Sequence, residues 1–329
     1  MENQKKIFCI EKSCFSHEKP LVIAELGTSH NADIVKAKEM TAAAAEAGAD
    51  CIKFQMVFAD EILHPNTGEI TLPGGRIKLY DRFKELETPV EFYLEAKNYV
   101  ESLGLLFLCT PFGHKSASIL KQIQPKVIKI ASPELNFTSL IEEIAEWKLP
   151  VLLSSGVSRL SDIEKALDIF KDKQQICLLH CVTAYPAPET DYNLRVLQNL
   201  SAIFDISVGV SDHSADPELI PALAVSMGAA AVEKHFCLSR TGSGLDDPIA
   251  LPPEDFTQMV RAVKYASENP QKKTISYYKK KYGEIFVEKI LGNGVKELAP
   301  SEKENYRFTN RSIHALRDID TGEIIKKND

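Results

Sequence analysis

No run of apolar residues in this chain approaches the ~18 that a membrane-spanning helix needs. The opening stretch, MENQKKIFCIEKSCF, also lacks the roughly 7–15-residue apolar segment of a secretory leader. These absences lead to the expectation of a cytoplasmic protein. There is no CxxC pair, and the seven cysteines, at 9, 14, 51, 109, 177, 181 and 237, are odd in number. Cys51, Cys109, Cys177, Cys181 and Cys237 lie in or beside apolar runs. The set therefore reads as small buried hydrophobes in a reducing compartment, not as a disulfide frame. Positive charge is not in excess: 39 lysines and arginines face 46 aspartates and glutamates, a net −7. That balance argues against nucleic acid or an acidic membrane as the main partner and leaves room for a local cationic pocket. Tryptophan occurs once, as Trp147 just before a strand-like run, where packing accounts for it. No repeat stands out beyond a strand–helix rhythm.

That rhythm is the chain's main content. Eight short apolar runs end in polar residues: LVIAE (Glu25), CIKFQ (Lys53, Gln55), LLFLCT (Thr110), VIKIAS (Lys129, Ser132), VLLSS (Ser154), CLLHC (Cys181), SVGVSDH (Ser211, His213) and AAVEKH (Glu233, His235). Helix-patterned stretches separate them, the first capped by Asp33 and stopped at Gly48. Eight such units predict an α/β fold, a (β/α)8 TIM barrel, whose active site lies at the C-terminal mouths of the strands. A barrel of this type takes about 250 residues, so the boundaries expected are a barrel over 1–267, a linker over 268–289 and a small β-rich module over 290–329. The long connection 56–88, with HPNTGE and LPGGR, is expected over the mouth.

Several residue types point to chemistry. His213 and His235 are one βα unit apart, so neighbouring strands would present two imidazoles side by side. Within each strand, alternation puts Ser211 on the face of His213 and Glu233 on that of His235. Such a pair is half of a site for Mn²⁺, Fe²⁺, Co²⁺ or Zn²⁺, or else two histidines bonded to backbone. Lys53 and Lys129 sit in otherwise apolar strands and need an anionic partner. With Thr110, Ser132, Ser154 and Ser211 they would suit a phosphate or carboxylate. The alternatives are structural ion pairs with Glu25, Glu134 or Glu233, and a Schiff-base lysine. The SHNAD segment (Ser29 to Asp33), Tyr185 and the pair Asp246 and Asp247 are further mouth candidates.

Taken in order, IAELGTSHNAD, AAAEAGADCIKFQ, IKIAS, SSGVS, CVTAYPAPE, VGVSDH, GAAAVEKHF and GSGLDD, and then LGNGVK and NRSIHALRDIDTGE, resemble the N-acetylneuraminate (sialic acid) synthase family. The spore-coat polysaccharide branch is nearest in wording. The resemblance implies condensation of phosphoenolpyruvate with an N-acetylated amino sugar, giving a nine-carbon 2-keto sugar acid and phosphate for surface polysaccharide. It implies a divalent metal on His213 and His235, Mn²⁺ first with Mg²⁺ and Co²⁺ as alternatives. By the same resemblance Lys53, Thr110, Lys129, Ser132, Ser154 and Ser211 hold phosphoenolpyruvate. Gln55, Tyr185 and Arg311 bind the sugar, and Glu25, Glu134 and Asp246 handle protons. The C-terminal module resembles an antifreeze-like (SAF) domain that reaches over the partner's barrel in a homodimer. It is expected here in partial form, because the family's closing RPG-type stretch does not precede Asp329. Ser29, Ala32, Thr183 and Asp247 depart from the family pattern on the sugar side. A metal-free class I aldolase and a catalytically idle binding relative are the competing readings.

Overall fold

Each of the eight apolar runs forms a parallel strand: β1 (Leu21–Gly27), β2 (Cys51–Met56), β3 (Leu106–Pro111), β4 (Ile128–Ile130), β5 (Val151–Ser154), β6 (Ile176–Cys181), β7 (Ser207–Asp212) and β8 (Ala231–His235). The computed structural model describes residues 6–72, 75–326 and 329. Ladder hydrogen bonds link the strands in the order β3-β2-β1-β8-β7-β6-β5-β4, and β3 lies beside β4, so the sheet is a nearly closed TIM-like barrel. The crossovers carry α1 (Ile34–Glu46), α2 (Val90–Ser102), α3 (His114–Gln122), α4 (Thr138–Ala145), α5 (Leu160–Leu167), α6 (Val196–Phe204), α7 (Leu219–Ser226) and, after β8, α8 (Pro253–Glu268). Asp33 caps α1 as expected, accepting from the Val35 and Lys36 N–H groups.

Alternation along the strands makes two cores. Outward residues such as Val22, Ala24, Ile52, Phe54 and Val210 pack under the helices. Inward residues Leu21, Ile23, Cys51, Leu108, Val127, Leu152, Cys177, Leu179 and Ala231 fill the lower barrel. The next inward position in every strand is not a hydrocarbon: Glu25, Lys53, Thr110, Lys129, Ser154, Cys181, Ser211 and Glu233. A polar layer thus lies on an apolar floor. The floor is closed by an antiparallel hairpin, Phe8–Ile10 with Ser13–Phe15, whose Phe8, Ile10 and Phe15 insert into it.

Three expectations fail here. Cys9 and Cys14 are a cross-strand pair of that hairpin and form a disulfide, while the other five cysteines are free and buried. The register that brings the pair together is invisible in an odd cysteine count. Second, residues expected as an exposed linker form α9 (Gln271–Tyr282) and α10 (Glu284–Leu291). Thr274 and Tyr278 of α9 are buried, and so are Val287, Ile290 and Leu291 of α10. Third, no strand occurs between residues 292 and 326 among the described residues, only turns and a short 3₁₀ stretch, Pro300–Glu302. The alternating runs there find no partner strand among the described residues, and Ile313, Leu316, Ile324 and Ile325 stay exposed. This segment is nevertheless anchored: the buried Glu302 carboxylate accepts from the Val157 and Thr183 N–H groups, each at 2.7 Å. No helix among the described residues is long and apolar enough to cross a membrane.

Candidate functional site

The polar layer is one connected network. Lys53 Nζ pairs with Glu25 Oε2 and lies 3.0 Å from Glu233 Oε1. Lys129 Nζ donates to Ser154 Oγ at 2.6 Å and lies 3.5 Å from the same Glu233 oxygen. Ser211 Oγ donates to Glu233 at 3.0 Å, and Gln55 Nε2 to Glu25 Oε1 at 3.0 Å. The structural ion pairs anticipated for both lysines therefore exist, and two ammonium groups against two carboxylates cancel formally. Burial lowers the Lys53 pKa, but Glu233 and Glu25 outweigh it and the net shift is upward. For Lys129 burial wins, aided by repulsion from Lys53, and its pKa falls. Burial opposes ionisation of Glu233, yet Lys129 and Lys53 hold it well below the usual carboxylate range. Thr110 Oγ1 and Glu233 Oε2 are buried here without a hydrogen-bond partner in the protein.

One step nearer the mouth stand the histidines, their ring centroids 5.7 Å apart. His213 Nδ1 lies 2.8 Å from the Val182 carbonyl. A carbonyl only accepts, so Nδ1 carries the proton and Nε2 presents a lone pair to the mouth. Tyr185, half exposed, stacks on His213 at 4.3 Å with its hydroxyl 3.3 Å from Nε2. His235 Nδ1 is 3.8 Å from Asp246 Oδ2. Burial pushes the His235 pKa down, and it pushes His213 down too, but Cys181 at 3.7 Å outweighs it there and the net shift is upward. Among the described residues no three His, Cys, Asp or Glu side chains are gathered tightly enough to hold a metal alone. The two imidazoles are donors of the type a borderline divalent cation takes, and they make a two-ligand half-site whose other positions would fall to water or substrate oxygen.

The rim supplies the rest. Glu134, fully buried in the short 3₁₀ stretch Ser132–Asn136, accepts from Arg311 at 2.5 Å. Burial raises its pKa to about 7, against the pull of Arg311, and its Oε2 has no hydrogen-bond partner in the protein. Arg311 also donates to the Ile62 and Phe112 carbonyls, at 2.7 and 3.1 Å, and its backbone exchanges two bonds with Asn136. The resemblance puts this arginine over a partner's barrel; here it closes on the mouth of its own chain. Ser132 Oγ accepts from the Gly156 N–H at 2.9 Å, and a Cβ at Gly156 would come within 2.1 Å of Thr183 Oγ1. Asp247 does not face the mouth; buried, it accepts from the Gly244 N–H at 2.8 Å and shapes the loop that carries Asp246.

Apart from Asp247, the site residues expected from the sequence lie at the C-terminal ends of the barrel strands or in the segments that pack over them. Sequence reasoning missed Gly27 and Arg82. Gly27, at φ +53°, sits where a Cβ would stand 3.2 Å from Asp246 Oδ2 and 3.4 Å from Glu25 Oε1. Arg82 lies in a short helix (Leu79–Glu85) of the 56–88 connection and donates to Asn31 Oδ1 at 2.7 Å and to the Ser243 carbonyl at 3.3 Å. It thereby ties that connection to the loops after β1 and β8. For Gly27 the signal was a glycine two residues after a strand-end carboxylate. For Arg82 none was available.

Residues 40–274 match the model of the NeuB family. The N,N'-diacetyllegionaminic acid synthase of Campylobacter jejuni is 30% identical over 318 residues, covering 94% of this chain and 89% of that protein. The crystal structure of spore coat polysaccharide biosynthesis protein SpsE from Bacillus subtilis is similar with a TM-score of 0.74 at 32% identity, covering 91% of this chain and 80% of that one. The N-acetylneuraminic acid synthetase of Leptospira borgpetersenii serovar Hardjo-bovis, solved in complex with citrate, reaches 0.74 at 30% identity, over 94% of this chain and 98% of its own.

Proposed function

The chain belongs to the NeuB family, and from that premise we propose that it condenses phosphoenolpyruvate with an N-acetylated amino sugar of the N-acetylmannosamine type. The products are a nine-carbon 2-keto sugar acid and phosphate, for surface polysaccharide. The observation that carries this reading is the polar layer itself. Two buried lysines and four hydroxyl side chains ring one opening, and Thr110 Oγ1 within it has no hydrogen-bond partner in the protein. Such a layer suits a small ligand rich in anionic oxygen, and the citrate held by the Leptospira relative is a ligand of that kind.

Lys53, Thr110, Lys129, Ser132, Ser154 and Ser211 hold the phosphoenolpyruvate. Lys129, at 3.5 Å from Glu233, is more loosely paired than Lys53 at 3.0 Å and turns to the anion more readily. Gln55, Tyr185 and Arg311 hold the sugar above it. His213 and His235, with Asp246 beside them, would hold a divalent cation, Mn²⁺ first. When bound, that cation supplies Lewis acidity toward a substrate carbonyl oxygen.

In the reaction a C–C bond forms between C3 of phosphoenolpyruvate and the aldehyde carbon of the open-chain sugar. The C2–C3 and carbonyl π bonds open as it forms, and the aldehyde oxygen takes up a proton. A water oxygen adds at C2, and the C2 hydroxyl then loses its proton as C2=O forms and the C2–O bond to phosphate breaks. Glu134, whose pKa of about 7 suits proton transfer near neutrality, takes the proton from that water, with Glu25 as the alternative base. Protonated lysines stabilise the leaving phosphate. The test is phosphate release from phosphoenolpyruvate with a panel of N-acetylated hexoses, run with Mn²⁺ and with EDTA. Mn²⁺-dependent release with one sugar supports the reading, and no release with any sugar from folded protein overturns it. A second reading, a Schiff-base aldolase, is favoured by the lowered Lys129 pKa. Borohydride trapping of a pyruvate adduct on Lys129, indifferent to EDTA, would establish it.

A further inference from the structure

His213 and His235 face the mouth, so the residues beside them in β7 and β8 point the other way, toward the helices. Those residues are Asp212 and Lys234, register partners in the ladder and each only 1% exposed. An ion pair in that outer layer is not needed for packing, since well-packed apolar side chains of similar volume often replace a buried pair without loss of stability. Its bonds show what it does. Lys234 Nζ donates to Asp212 Oδ2 at 2.6 Å and to the Ser214 carbonyl at 2.6 Å, with Ser214 Oγ at 3.4 Å. Asp212 Oδ1 accepts from the Ser214 N–H at 2.8 Å. The residues on both sides of His213 are thus gripped by one ammonium group, rooted in the residue next to His235. The remaining backbone groups are held as well. The His213 N–H donates to the Tyr192 hydroxyl at 2.7 Å, that hydroxyl bonds in turn to Asp212, and the His213 carbonyl accepts from the Ala187 N–H at 2.9 Å.

We propose that the Lys234–Asp212 pair, with Tyr192, is a positioning device that sets the separation and aim of His213 and His235. It acts from behind the strands, on the side away from the loops at the mouth. The inference rests on reading the two histidines as the metal pair. Outer residues that orient ligands change metal affinity by about 10–100-fold when lost, and an apolar replacement of a buried pair need not destabilise. Position and folding can therefore be separated.

The experiment measures the affinity of the metal-free full chain for Mn²⁺ alone, by electron paramagnetic resonance titration, beside its melting temperature. The double variant Lys234→Met/Asp212→Leu, which leaves the Ser214 backbone groups and the Tyr192 hydroxyl without these partners, is expected to melt cooperatively but lower than wild type and to bind Mn²⁺ about 10–100-fold more weakly. Tyr192→Phe, which removes one hydroxyl, is expected to weaken binding several-fold and serves if the double variant does not fold. Wild-type affinity in a folded double variant, or in Tyr192→Phe when that is the variant that folds, overturns the proposal. A His213→Ala arm separates the two readings. If His213→Ala binds Mn²⁺ as wild type does, the metal assignment has failed and the positioning role falls with it. If His213→Ala abolishes binding and the double variant does not weaken it, only the positioning role has failed.

Discussion

Replacing Arg311 with alanine perturbs Glu134, the proposed base at the rim, and on the same reading also removes a sugar contact, so the position of the pH limb, not the rate at one pH, carries the test. Glu134 is fully buried, and its pKa already stands near 7 with the guanidinium bonded at 2.5 Å. An opposite charge at this range lowers a carboxyl pKa by about 1–3 units, so its removal carries Glu134 to roughly 8–10. At pH 7 the ionised fraction then falls from about one half to at most ~10%. If ionised Glu134 draws the proton from water, the rate of phosphate release at pH 7 falls about 5-fold or more. The loss is recovered as pH rises, because the alkaline-rising limb moves with the pKa. Stability carries the same signature with a definite sign. A carboxyl raised above its unfolded value of 4.5 contributes stability below that pH, which is lost as pH rises through the folded pKa. In wild type that loss ends near pH 7. In the variant it continues for ~1–3 further units, at roughly 1.4 kcal/mol per unit. The assay is phosphate release from pH 5.5 to 9.5 with melting temperatures in the same buffers, and Glu134→Gln should remove the limb altogether. A limb that stays near 7 in Arg311→Ala would refute the argument.

Two further outcomes follow from the geometry. Arg82→Ala should raise KM for the sugar well above any effect on KM for phosphoenolpyruvate, because it frees the loops bearing Asn31 and Asp246 and leaves the lysine layer intact; equal effects in steady-state kinetics would contradict this. Gly27→Ala should cost about 1–2 kcal/mol of left-handed backbone strain and at least 10-fold in kcat by crowding Asp246 and Glu25. Gly104→Ala, at φ +76° with open space around it, should show the strain alone, so matching kcat losses in the two variants would remove the crowding argument.

The barrel could be read from the chain because parallel strands buried on both faces spell continuous apolar runs. Their polar endings stood out for the same reason, a lysine or glutamate in such a run being costly unless used. What could not be read depends on distance in sequence or on register. Arg82 and Ser243 are 161 residues apart, and no local pattern announces their bond. The helix Gln271–Tyr282 buries little more than Thr274 and Tyr278, too few positions to print an apolar stripe among its lysines. The alternation near the C-terminus looked like strands because period-two patterning is all a sequence offers; a ladder also needs a partner. The lysines' neutralising carboxylates were foreseen only as an alternative, since which glutamate reaches which ammonium is decided by the pairing of β8 with β1.

Among the described residues, the hairpin wedged into the floor closes the lower end of the barrel, so the polar layer is reached from the mouth. Lys129 at its depth is 2% exposed, whereas Tyr185 at its brim is 52% exposed. A ligand seated on the lysines is overlaid by whatever next occupies the brim, and nothing leaves from below. Traffic therefore runs as a stack, last in and first out. On the proposed reading the small anion must arrive before the sugar, and an excess of sugar should slow the anion's entry by sitting in its doorway.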